Sequence, residues 1–102
     1  MVKIAYLLLC HKNADSVIAQ AKALVAAGDV VAIHFDKGGS ASDFERLKTA
    51  LSGEPSVTFA NRVACGWGEY SLVQASLNLL KAARASFTEV THYFLISGDC
   101  FP

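Results

Sequence analysis

The chain has 102 residues, 53% of them hydrophobic, with nine Lys plus Arg against nine Asp plus Glu and a formal net charge of zero. That length sets one domain, and the aliphatic content is too high for a disordered chain. Balanced charge leaves no electrostatic ground for expecting nucleic acid or an anionic membrane as a partner.

The longest apolar stretch, Ile4 to Cys10, is far short of the ~20 residues a membrane helix needs. No small-residue cleavage site follows it before His11 and Lys12, so no signal peptide is expected. Cys10, Cys65 and Cys100 form no CxxC pair and cannot all pair internally. Reduced thiols and a cytoplasmic location are the expectation.

Val2 to Cys10 is a continuous apolar run led by β-formers, the pattern of a strand buried on both faces. Asn13 is placed to cap a helix, with Asp15 near its positive end. Val17, Ile18, Ala21, Leu24 and Val25 then recur at helical spacing, and Gly28 follows where a helix-ending glycine belongs. Val30 to Asp36 is a second strand, and Asp36-Lys37-Gly38-Gly39 reads as a loop. Ser42-x-x-Glu45 forms a capping box for a helix carrying Phe44, Leu47 and Leu51, ended by Gly53 and Pro55. Ser56 to Ala60 is a short third strand, and Asn61 to Tyr70 a glycine-bearing loop. A second box, Ser71-x-x-Gln74, opens a long helix to about Ala85, its first turn reaching back toward Glu69. His92 to Ser97 is the fourth strand, followed by a loop from Gly98 to Pro102.

The result is β-α-β-α-β-α-β, an α/β, Rossmann-like pattern implying a parallel sheet with right-handed crossovers. The expected strand order is 3-2-1-4, with the longest apolar strand central. Ligands of such sheets bind outside the carboxyl ends of the strands, where the order reverses. Four polar clusters fall at those ends: Cys10 to Asn13, Asp36-Lys37, Asn61 to Glu69, and Ser97-Gly98-Asp99.

The first loop, His11-Lys12-Asn13, has no glycine, so it lacks the fingerprint of a dinucleotide fold, and there is no GxxxxGK[ST] either. Asp36, ending strand 2, stands where an acid grips the sugar or base of a nucleotide; it equally fits a residue that caps the following turn. Trp67, between Gly66 and Gly68, is free to lie against a planar ligand or to anchor the loop over the sheet edge. Lys12 and Arg62 suit phosphate oxygens or plain surface charge. Cys10 and His11 are adjacent and point apart, so no thiolate–imidazole pair is expected. His34 lies inside strand 2 and His92 opens strand 4; no His or Cys spacing resembles a zinc site. Asp99 suits a metal, a phosphate neighbourhood or a turn.

Taken together, KIAYLLLCHKN, VVAIHFDK, NRVACGWGEYSLVQASLNLL and YFLISGDCFP resemble the start of the core-2/I-branching glycosyltransferase family. That family includes β-1,6-N-acetylglucosaminyltransferases and peptide O-xylosyltransferases. The resemblance covers nearly the whole chain, and IHFDK and WGEYSLVQA carry most of its specificity. It implies that residues 1–102 are the N-terminal, nucleotide-sugar-binding portion of a GT-A-type fold with a UDP-sugar donor. Asp36 would contact the uracil or uridine, Trp67 would line that pocket and His11 would border it. Ser97, Gly98 and Asp99 would lie near the ribose and diphosphate. The family's Asp before its aromatic-Pro pair falls at Cys100 here, and the acid is Asp99, one residue earlier.

The resemblance further implies inverting transfer without a metal, basic residues facing the diphosphate. The absence of a DxD motif agrees with this. The family's Glu base and basic diphosphate-binding residues lie further along than Pro102, so no catalytic residue is assigned here and the chain alone is expected to be inactive. The acceptor would be a glycan or protein. The alternative is a non-catalytic module of the same fold, forming a homodimer through apolar surface left uncovered.

Overall fold

The computed structural model describes residues 3–10, 14–64 and 69–97. Along the chain run β1 (Ile4–Cys10), α1 (Ala14–Ala26), β2 (Val30–Phe35), α2 (Ala41–Leu51), β3 (Val57–Phe59), α3 (Glu69–Ser86) and β4 (His92–Ser97). The strands form one sheet in the order β3-β2-β1-β4. Every neighbouring pair is parallel, with Cys10 opposite Phe35, Leu9 opposite both His34 and Ser97, and Ile33 opposite Phe59. The expected Rossmann-like α/β architecture and strand order are therefore the observed ones.

Two-residue periodicity divides the sheet's side chains between two cores. Leu8, Val31, Ile33 and Phe35 pack with Val17 and Ala21 of α1 and Leu47 and Leu51 of α2 on one face. Ala5, Leu7, Val30 and Ala32 pack with Leu79 and Ala83 of α3 and with Phe87 on the other. All six residues of β2 are buried, because this strand has a strand on each side and helices above and below. Each large side chain buried this way stabilises the fold by roughly 1.5–3 kcal/mol.

Gly28 ends α1 at a φ of 94°, a left-handed conformation that suits glycine. The Gly28 amide donates to the Val25 carbonyl (3.0 Å) and the Asp29 amide to that of Leu24 (3.1 Å). These two bonds make a Schellman motif and turn the chain directly into β2.

The start of α2 differs from the sequence expectation. Its N-cap is Ser40, whose hydroxyl accepts the Asp43 amide at 3.3 Å. Ser42 lies within the helix, its hydroxyl 2.9 Å from that of Ser40. Ser40-x-x-Asp43 and Ser42-x-x-Glu45 overlap in sequence, and the earlier one caps the backbone. In α3 the helix begins at Glu69, so Ser71 is inside the first turn rather than at its cap. Arg46 of α2 pairs with Asp15 of α1, an exposed contact that contributes at most about 1 kcal/mol.

Candidate functional site at the carboxyl end of β2

In a parallel sheet the carboxyl ends of all strands point the same way. Here that end brings together the residues following β2 and those following β3. The Asp36 amide donates to the Cys10 carbonyl at 2.8 Å, tying the exit of β2 to that of β1. Beyond it the chain reverses: Gly39 donates to the Asp36 carbonyl (2.9 Å), and Asp36 Oδ1 accepts the Gly38 amide (3.0 Å). An Asp at the first position with a glycine at the fourth is the favoured chemistry of such a turn. One oxygen of Asp36 thus caps its own loop. The carboxylate itself stays at the rim of the sheet, with the residue only partly buried.

The segment after β3 runs alongside β2 and is held from three directions. Ala60 donates to the Ile33 carbonyl and Lys37 to the Val63 carbonyl, at 2.8 and 3.1 Å. Arg62 donates through Nε to the Phe35 carbonyl and through a terminal nitrogen to the Asp36 carbonyl, both at 2.9 Å. Its guanidinium lies 3.9 Å from the Phe44 ring centroid and 5.7 Å from that of Phe35. From α3, Asn78 Nδ2 donates to the Asn61 carbonyl at 3.1 Å, and Asn78 in turn accepts from Gln74.

The third hold is His34, the one buried polar residue among those described, 1% exposed. The Val63 amide approaches its Nε2 at 2.8 Å. An amide N–H only donates, so Nε2 accepts and the neutral ring carries its proton on Nδ1. Burial lowers the pKa of this ring below its ordinary value. Asp36 and a bond to the residue's own backbone pull it upward, while Arg62 pushes it down further.

Among the sequence candidates, Asp36 stands at the carboxyl edge as expected, with its turn-capping role now explicit. Arg62 is neither a surface charge nor directed at phosphate: its nitrogens bond backbone carbonyls across the end of β2. Ser97 ends β4 opposite Leu9. His11, Lys12, Trp67, Gly98 and Asp99 lie outside the described residues, as does Cys100. Cys10 is buried in the core, as its place in the apolar run implied. His34 was visible in the sequence only as a histidine in an apolar strand. The signal was there, since a buried imidazole needs a partner, but that partner is a backbone amide 29 residues away.

Among the described residues no three His, Cys, Asp or Glu side chains cluster so as to hold a metal ion, and no helix is long and apolar enough to cross a membrane. No protein-family model matches the chain, and none of the curated proteins compared with it matches either.

Proposed function

We propose that this chain supplies the nucleotide-binding end of an inverting glycosyltransfer from a UDP-sugar, with N-acetylglucosamine or xylose as the transferred group. The observation that carries this reading is the strand order, which reverses between β1 and β4, with Asp36 fixed beside the β1 exit. Crevices at such a reversal are where open α/β sheets bind nucleotides. The segment resemblance adds the donor class. Asp36 accepts the N3–H of uracil, and the residues around His11, Trp67 and Ser97 to Asp99 complete the pocket. In the transfer an acceptor hydroxyl on a glycan or protein loses its proton to a Glu base and attacks the anomeric carbon. The sugar–phosphate C–O bond breaks and UDP leaves with the electron pair. The residues of this chain supply the donor-binding side of that reaction.

Titration with UDP and with ADP tests this directly. UDP at millimolar concentration is expected to shift the amide resonances of Asp36 and Trp67, and ADP is expected not to. Asp36→Asn keeps an oxygen for the Gly38 amide and so preserves the turn. It puts a donor where uracil needs an acceptor, and UDP affinity is expected to fall at least about tenfold. Unshifted Asp36 and Trp67 resonances at saturating UDP would overturn the reading.

A second reading is favoured by one specific observation. β4 is an edge strand with no Lys, Arg, Asp or Glu, and Tyr93, Phe94 and Leu95 are 38%, 49% and 49% exposed. Beside it Leu72, Val73 and Leu77 of α3 are also exposed, framing an apolar groove of about 550 Å³. A self-associating module would cover that groove with its own copy. Light scattering is then expected to show a dimer that Leu77→Lys dissociates, and a strict monomer at high concentration removes this reading.

A further inference from the structure

Besides the backbone bond from the Lys37 amide to the Val63 carbonyl, three side chains hold residues 61–63, and they are chemically unequal. Arg62 and Asn78 hold the segment through N–H donors aimed at backbone carbonyls. His34 alone changes its bonding with pH, because an imidazolium has two N–H donors and no acceptor. We propose that His34 is a positioning residue that works only as the neutral imidazole, holding the segment after β3 against the carboxyl end of β2 and releasing it on protonation. The inferred consequence for ligand binding rests on the reading of that end as a nucleotide site.

The geometry supports a tether at a sensitive place. Val63 lies four residues before Trp67 in the chain, and its carbonyl accepts the Lys37 amide, next to Asp36. Losing the Val63 N–H···Nε2 bond sets two donors against each other in a buried site and pushes the segment away. The segment is bonded to the Asp36 turn through the Lys37 amide, so its release disturbs that turn.

Among the described residues two charged groups act on the ring. Asp36, at the exit of β2, favours the cation, and Arg62, from the segment itself, opposes it. β1 places the apolar Leu9 opposite His34, and α3 contributes the uncharged Asn78 to the same segment. Burial outweighs the pull of Asp36, so the folded ring titrates below the unfolded one. The neutral tether is therefore complete above about pH 6.5 and is lost as the pH falls through the ring's lowered pKa.

The test is a pH titration of the whole chain by amide NMR, from about pH 8 to about pH 5. The Val63 amide proton is expected far downfield at the upper end and to move upfield with the titration curve of the His34 ring. UDP affinity is expected to fall alongside, about tenfold at one pH unit below the ring's pKa, because only the neutral fraction is competent. His34→Gln, which offers a carbonyl oxygen that does not titrate, is expected to bind UDP with no such pH dependence. A Val63 amide indifferent to His34 protonation overturns the tether, whatever UDP does. A ring that stays neutral until the protein unfolds overturns it too. Val63 tracking the ring supports the tether even with UDP unbound at every pH, in which case the nucleotide reading fails by itself.

Discussion

Phe35→Ala is expected to lower the unfolding free energy by about 3–5 kcal/mol. The Phe35 side chain is fully buried. Its ring stacks on Phe44 with centroids 5.9 Å apart, and Phe44 meets Phe59 edge-on at 6.1 Å. Truncation therefore empties the β2 end of an aromatic row that joins β2, α2 and β3. A domain of this size has only about 5–15 kcal/mol in total, so the variant sits near the edge of folding. Phe35→Leu, which refills most of the volume, is expected to cost under about 1.5 kcal/mol. Urea unfolding of the pair checks the prediction, and equal losses in the two variants would contradict the packing described.

Arg62→Ala is the second large effect, expected at about 2–3 kcal/mol. Two carbonyls at the end of β2, those of Phe35 and Asp36, lose a charged donor, and the Phe44 ring loses the guanidinium above it. On a domain of this length that corresponds to a fall in Tm of roughly 10–20 °C. Arg62→Lys separates this role from a generic positive charge. An ammonium cannot present Nε and a terminal nitrogen to two carbonyls at once. The lysine variant is expected to recover less than half of the loss. Near-complete recovery would mean that charge alone matters there, as a contact to phosphate would require.

The architecture was legible because parallel strands announce themselves as uninterrupted apolar runs. Val30 to Phe35 could be recognised for that reason, and the length of the first run placed β1 centrally. Helix starts were less legible. Ser40 and Ser42 each open a plausible cap, and only backbone geometry decides which hydroxyl meets an amide. Asp36 was readable as the residue at a strand's carboxyl end. The bonds that fix its surroundings were not. Arg62 and His34 both act on backbone atoms, and backbone atoms carry no letter in a sequence. A side chain whose partner is a carbonyl or amide some 30 positions away looks like any other surface arginine or strand histidine.

The pairing of β1 with β4 has a kinetic consequence. Thr91 bonds Lys3 across 88 positions, and β4 lies along β1 from Ile4 to Leu9. Closing so long a loop is entropically slow, and it gains nothing until both strands are in register. β2 and β3, with α1 and α2, are built from shorter loops and can assemble on one side of β1 first. During that interval the other edge of β1, the most apolar strand in the molecule, stands unpaired. The last strand to arrive is therefore also the one that shields the first from mispairing, and refolding yield should depend on how quickly β4 docks.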